Sequence, residues 1–277
     1  MTQFRPSRFE ILPVIVKNLL IINGLFFLAK FAFSGPDALI DFEETFDLHA
    51  WQSSLFRPWQ LITHMFLHGD FAHIFGNMFA LWMFGSVLEN VWGSKKFLTF
   101  YLVCGLGAAL MHLLFLSYEF LPMMKAYQQM YMRQAEGGIV PIEEMRQFMI
   151  THLSGNPEHL RQLQNMGDDP AISRQLFGLL TDKYQESLNM ATVGASGAVF
   201  GVLAAFVYLF PNTYIYIYFL IPIKAKWLGI LYFTYELFFA IQNSAGDNVA
   251  RWAHVGGAIV GLLIVFTWNK KNRQHFY

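Results

Sequence analysis

Six stretches of this chain are long and apolar enough to be read as membrane spans, at residues 14–33, 72–92, 97–118, 195–210, 227–242 and 253–268. Crossing the ~30 Å hydrocarbon core takes about 20 predominantly apolar residues in a helix. No other feature restricts the fold as strongly, because a backbone in lipid must satisfy its hydrogen bonds internally, which leaves helices and closed barrels. Runs of this length argue for helices. Of the 277 residues 55% are hydrophobic and only 14% charged, against about 25% charged in soluble domains. The expected fold is an all-α polytopic membrane protein with six transmembrane helices.

The connections are informative too. Residues 51–71 are aromatic and histidine-rich, with Arg57 and Pro58 among them, and read as an interfacial or re-entrant loop. Residues 214–223 carry Tyr214, Tyr216 and Tyr218 and end near Pro222, which suggests a segment lying along the interface. Residues 119–190 turn polar, with Pro141, Pro157 and Pro170 as breaks, so an extramembrane insertion, helical and broken, is expected between the third and fourth spans. The chain then divides into a short N-terminal segment, 1–13, and one membrane domain, 14–277, that contains the insertion. Its basic start leads into a long apolar run without a small-residue cleavage site, which reads as a first span and not as a cleavable signal peptide.

Orientation follows from lysine and arginine in the short connections. Arg5, Arg8 and Lys17, then Lys95 and Lys96, then Lys224 and Lys226, then Lys270, Lys271 and Arg273 all fall on one side of a six-span chain. That side is expected to be the cytoplasm, with both termini there and the insertion outside. Zero net charge gives no sign of a nucleic-acid partner, and the single Cys104 allows neither an intramolecular disulfide nor a cysteine-based zinc site.

With six spans, the second, fourth and sixth begin at the same outer face. Their first turns hold His73 and Asn77, Ser196, and His254. Ser196 lies in ATVGASGAVFGV, residues 191–202, and a serine among glycines on a membrane helix serves packing more often than chemistry. His254 changes the balance, since an ionisable group at membrane depth is a functional candidate. A serine hydroxyl becomes a nucleophile when a base within about 2.6–3.2 Å takes its proton. Gly197 and Gly201 on one span, and Gly257 and Gly261 on the other, are each four apart and let two backbones approach beside that pair; Gly194 joins this set of packing glycines. His73 and Asn77 share a helix face and, with the Ser196 amide, are placed to hold a developing oxyanion. His64 and His68 would suit a helical zinc pair, but zinc leaves the serine motif unexplained, and no metal is expected. Near His254 in sequence stands only Asp247, so a dyad is favoured over a triad.

Together these residues resemble the rhomboid family of intramembrane serine proteases, of the bacterial six-helix type. Gly194-Ala195-Ser196-Gly197 is similar to the family's GxSG, Ala253-His254 with Gly257 to its AHxxG, and His73 with Asn77 to its HxxxN. Arg57-Pro58-Trp59 and Gly85 with Glu89 look like its first-loop arginine region and GxxxE, which are structural in the family. The resemblance implies Ser196 as nucleophile, His254 as general base, and His73, Asn77 and the Ser196 amide as oxyanion hole. It implies transmembrane protein substrates cut near the outer face of a bacterial cytoplasmic membrane, and no cofactor. The insertion lies outside the resemblance, and Phe200 stands where an aromatic would pack near the histidine. A catalytically silent binder of membrane proteins is the alternative, and a solute transporter a further one. Glu236 in the fifth span would suit the transporter but equally a buried, hydrogen-bonded glutamate or a cytoplasm-accessible one, and its role stays open.

Overall fold

The computed structural model describes residues 9–33, 41–153, 169–217, 220–242 and 249–273; Arg5, Arg8, Pro157, Tyr218 and Asp247 lie outside the described residues. It is a mostly helical protein. Four helical stretches are long and apolar enough to cross a membrane. They are α1 (Val14–Phe33), the composite Phe71–Trp92, α6 (Ser94–Ala135) and residues Arg251–Lys270 of the last helix. The composite joins α4 (Phe71–Ala80) to α5 (Ser86–Trp92) through one π-helical segment, Leu81–Gly85. Two short helices, α2 (Phe42–Phe46) and α3 (Gln60–Thr63), lie in the first loop.

The chain divides into two compact units, one of Met1–Leu48, Arg57–His112 and Thr192–Tyr277, the other of His49–Phe56 and Leu113–Ala191. The second unit has its own apolar core, which includes Phe120, Met130, Met145, Phe148, Phe177 and Tyr184. Its helices are the C-terminal part of α6, α7 (Ile142–His152) and α8 (Pro170–Leu188). Where a polar insertion starting at residue 119 was expected, α6 runs unbroken through Pro122 to Ala135. One proline removes one backbone donor, and the surrounding Met, Gln, Lys and Ala are good helix formers that carry the helix past it. Pro141 and Pro170 open helices instead of breaking them. Pro170 is the first residue of α8, and the Asp169 side chain accepts from the Ala171 and Ile172 amides at 2.7 and 3.2 Å.

In the first unit α9 (Ser196–Leu209) is buried at every position from Gly197 to Phe206. With 14 residues it spans only about 21 Å, and a helix apolar all round belongs in the interior. Neither it nor α10 (Ala225–Gln242) is among the four stretches that meet both length and apolarity. On α10 the buried residues are Ala225, Gly229, Glu236 and Ala240, one narrow stripe, while Trp227, Ile230, Leu231, Phe238 and Ile241 are exposed. Apolar exposure on this scale marks a face for lipid or another apolar surface. The last helix is α11 (Arg251–Arg273).

Residues 214–223, expected as a segment along the interface, take up strand structure. Tyr214–Ile217 and Ile221–Lys224 form an antiparallel hairpin with Tyr214 opposite Lys224 and Ile217 opposite Ile221. The alternation Tyr-Ile-Tyr-Ile has a period of two, which is the strand signal.

Glu89 and Arg57 sit at structural junctions. The buried Glu89 carboxylate accepts from the Ile15 and Val16 amides at 2.9 and 2.8 Å and from the Ser94 hydroxyl at 2.6 Å. It satisfies donors that the first turn of α1 leaves free. The Arg57 backbone N–H donates to the buried Gln60 Oε1 at 3.1 Å, and the Gln60 amide Nε2 donates to the Glu44 carbonyl at 3.1 Å, tying the first loop together.

Candidate active site

The serine stands where an extended approach turns into a helix. Gly194 has φ +131°, a conformation that favours glycine. Its N–H donates to the His64 carbonyl at 2.9 Å. A methyl group there would sit 2.8 Å from His73 Nε2 and 3.4 Å from Ser196 Oγ. Gly194, grouped above with the packing glycines, therefore lies before α9, and its task is to turn the chain and make room for the His73 ring. Ser196 is the first residue of α9, so its backbone N–H has no partner within the helix.

The remaining glycines do bring helices together. A Cβ on Gly257 would overlap the Gly197 carbonyl, one on Gly261 would lie 2.7 Å from the Gly201 carbonyl, and one on Gly201 would lie 3.0 Å from the Gly257 carbonyl. Helices α9 and α11 thus touch backbone to backbone, as small residues four apart allow. The contact begins one residue past Ser196 and three past His254, and it brings the two side chains together. Ser196 Oγ lies 2.8 Å from His254 Nε2. Phe200, one turn along α9, stacks on the imidazole with centroids 4.2 Å apart and planes 8° apart.

Behind the histidine the structure adds a residue that the dyad expectation lacked. Glu236 Oε2 lies 3.0 Å from His254 Nδ1 and 3.3 Å from Arg251 Nη1. A signal was present in the sequence, since Glu236 is the sole acidic residue of α10 and an intramembrane carboxylate calls for a partner. What the sequence did not supply was the partner, which stands 18 residues away on another helix.

His73 is half-buried beside Gly194, in the first turn of α4, where the Asp70 side chain accepts from its backbone N–H at 2.9 Å. Asn77, one turn further, is buried, and its Nδ2 has no hydrogen-bond partner among the described residues. Among the described residues the site thus holds a spare donor, an amide at a helix start and a serine in contact with a base.

His64 and His68 do not share an α-helical face. His64 lies in a 3₁₀ turn and its Nδ1–H donates to the Gln60 carbonyl at 2.7 Å; His68 follows that turn. Burial holds the His64 imidazole down at about 4 and that of His68 at about 3, so both stay neutral at neutral pH. A pocket beside the serine is lined by His64, His112, Thr192, Gly194 and Ser196, and His112 Nε2 lies 2.7 Å from the Thr192 hydroxyl.

A family model described as the Rhomboid domain matches residues 56–123 and 170–271. Among curated relatives, an uncharacterized mitochondrial rhomboid protein of Schizosaccharomyces pombe is 28% identical over 222 residues, 76% of this chain and 52% of that protein. RHOMBOID-like protein 12, mitochondrial, of Arabidopsis thaliana is 25% identical over 216 residues, 78% of this chain and 47% of its own length. Rhomboid protease GluP of Bacillus subtilis is 37% identical over 60 residues, 22% of this chain and 12% of that protein. The chain thus spans about half the length of the first two. The matched residues take in Arg57, His73, Asn77, Glu89, Ser196, Glu236 and His254, and pass over 124–169, where α6 ends and α7 lies. With more than half of its length in the match, the chain belongs to the rhomboid family, a membrane-embedded family that includes serine proteases.

Proposed function

We propose that the protein is an intramembrane serine endopeptidase acting on transmembrane protein substrates. The observation that carries this reading is the 2.8 Å approach of Ser196 Oγ to His254 Nε2, within the reach a general base requires. His254 accepts the hydroxyl proton as Ser196 Oγ attacks the scissile carbonyl carbon. The carbonyl oxygen becomes an oxyanion, held by His73, Asn77 and the Ser196 N–H. His254 then passes the proton to the leaving amine, the C–N bond breaks, and an acyl-enzyme remains. Water, deprotonated by His254, attacks the ester and releases Ser196.

The mechanism runs on side chains and one backbone amide, and calls for no cofactor. The basic connections support both termini on the cytoplasmic side, and in this reading the membrane is a bacterial one with cleavage near its outer face. Two of the relatives bear mitochondrial names, and membrane fractionation separates the two settings. In this reading residues 14–277 act as one membrane domain, and the 119–190 region is its extramembrane elaboration.

The test is cleavage of a single-span reporter in reconstituted bilayers. Wild type cleaves, and Ser196→Ala and His254→Ala do not; undiminished cleavage by either variant overturns the mechanism. A fluorophosphonate that labels neither wild type nor variant would favour the silent binder.

A further inference from the structure

A carboxylate behind the histidine is not required by a serine–histidine pair, and its cost in this setting asks for a reason. Glu236 is 4% exposed, on the one stripe of α10 that faces the bundle, where its buried companions are Ala225, Gly229 and Ala240. An ionised group in such a place is costly unless its partners are good. We infer that Glu236 is a positioning residue for His254, extending the reacting unit to Ser196–His254–Glu236, with Arg251 holding the carboxylate in place. The inference rests on the reading of Ser196 and His254 as nucleophile and base.

Three observations carry it. A carboxylate only accepts, so the imidazole nitrogen 3.0 Å from Glu236 Oε2 must bear the proton. Nε2 is then the unprotonated nitrogen, and it is the one that faces Ser196 Oγ at 2.8 Å. Glu236 selects the tautomer that can accept the serine proton. Second, the Phe200 stack fixes the plane of the ring, but a ring flipped in its own plane stacks equally well; Glu236 distinguishes the two ends. Third, the carboxylate is itself held. Arg251 contacts the same Oε2 at 3.3 Å, and its guanidinium lies over the Tyr235 and Phe239 rings, at 5.5 and 5.1 Å, on either side of Glu236 along α10.

Arg251 also sets the size of the effect. Its positive charge offsets much of the pull that the carboxylate would exert on an imidazolium, so Glu236 acts mainly through orientation and tautomer. Loss of tautomer control in a serine–histidine–carboxylate unit slows turnover by up to about 10⁴-fold. A smaller loss, about 30-fold or more, is expected here for Glu236→Leu. Glu236→Gln keeps a carbonyl that accepts from Nδ1–H but can also turn its amide toward the ring, and about a 5- to 10-fold loss is expected.

The experiment uses the full chain in detergent and in proteoliposomes, with three readouts: kcat and KM on the single-span reporter, the rate of fluorophosphonate labelling at Ser196, and ¹⁵N NMR of histidine-labelled protein. The His254 signals are assigned by their absence from His254→Asn. Glu236→Leu should lower kcat and the labelling rate together at unchanged KM, and replace a single Nδ1–H tautomer by a mixture. Arg251→Gln should slow labelling less than Glu236→Leu does. If the Glu236–Arg251 pair merely ties α10 to α11, the two variants lose activity equally and the His254 signals do not change, which overturns the inference. Should Glu236→Leu not fold, Glu236→Gln decides, and labelling within twofold of wild type overturns it. A wild type that neither cleaves nor labels removes the protease reading, while the His254 tautomer still reports whether Glu236 positions the ring.

Discussion

Helices α9 and α11 are fitted to each other by absence of side chain, whereas α10 is fitted to both by presence of one. Between α9 and α11 the contact is carbonyl against glycine, at Gly197 with Gly257 and Gly201 with Gly261. Backbone contacts do not adjust by rotamer changes, so the serine and the histidine they carry are held in a fixed relation. Helix α10 offers a narrow stripe of Ala225, Gly229, Glu236 and Ala240 and meets its neighbours through side chains. Gly229 faces the Val207 methyls, and Tyr232 lies against Phe200 with ring centroids 5.1 Å apart. Rigid placement of nucleophile against base, with the supporting carboxylate on a more adjustable element, follows from this difference.

The most severe way to break it is Gly257→Ala. The added methyl overlaps the Gly197 carbonyl, and neither helix can yield without separating Ser196 from His254. Overpacking costs about 1–3 kcal/mol where side chains can shift; with backbone on the far side the cost exceeds about 4 kcal/mol, in the class that only a few mechanisms reach. Either a large loss of thermal stability or complete loss of reporter cleavage is expected, and fluorophosphonate labelling separates the two.

Asn77→Ala tests the chemistry without touching either contact. Among the described residues Asn77 Nδ2 is buried without a partner, so removing that donor breaks no hydrogen bond there and the fold should hold. If it serves the oxyanion, kcat falls by about 10²–10³, or about 2.7–4 kcal/mol, with thermal stability unchanged. Cleavage within a few-fold of wild type would remove Asn77 from the oxyanion hole.

Acid sharpens the comparison through the loop that precedes α9. The His64 carbonyl accepts from the Gly194 N–H at 2.9 Å, and burial depresses the His64 imidazole from 6.5 to about 4. A depressed folded value means that the contribution of His64 to stability is full above 6.5, is lost as pH falls from 6.5 toward 4, and is gone below that. At about 1.4 kcal/mol per unit the cost reaches about 3 kcal/mol. Asp47, raised by burial to about 7, acts in the opposite sense as pH falls from 7 toward 3.8. The measurement is therefore wild type against His64→Gln, pH by pH, in denaturant unfolding. The variant should lose less stability between pH 7 and pH 4, and parallel curves would show that His64 is not the group responsible.

What could be read from the sequence divides along the same line. Ser196, His254 and the four packing glycines were legible because small residues at a spacing of four state where two backbones meet, and because polar groups are conspicuous in apolar helices. His73 was legible as a helix-face neighbour of Asn77. The task of Gly194 was not, since a positive φ and a clash with a ring from another helix do not show in a local string. Glu236 was visible as an oddity without a partner, because its pairing with His254 is created by the packing of α10 on α11. The reach of α6 past Pro122 and the 214–224 hairpin were missed for a different reason. Hydropathy locates lipid-facing length, but helix continuity and a strand period of two are separate signals.

The smallest test compares three glycines. Gly229→Ala on α10 would bring a methyl 2.8 Å from Val207 Cγ1, a side-chain atom. If α10 is the adjustable partner, Val207 and the helix shift together, at a cost of about 1 kcal/mol, the lower end for overpacking, and reporter cleavage persists. Beyond its own helix backbone, Gly24 on α1 has no atom of the described residues within 4 Å of the position a methyl would take, and Gly24→Ala should be neutral or raise stability by about 0.5–1 kcal/mol through helix propensity alone. A ranking of Gly257→Ala far below Gly229→Ala, with Gly24→Ala at or above wild type in thermal unfolding, is what backbone contact on one side and side-chain contact on the other require. Equal losses at Gly257 and Gly229 would mean that α10 is held as rigidly as α11, and Glu236 would then stand on a fixed frame rather than on one that its own contacts with His254 and Arg251 help to set.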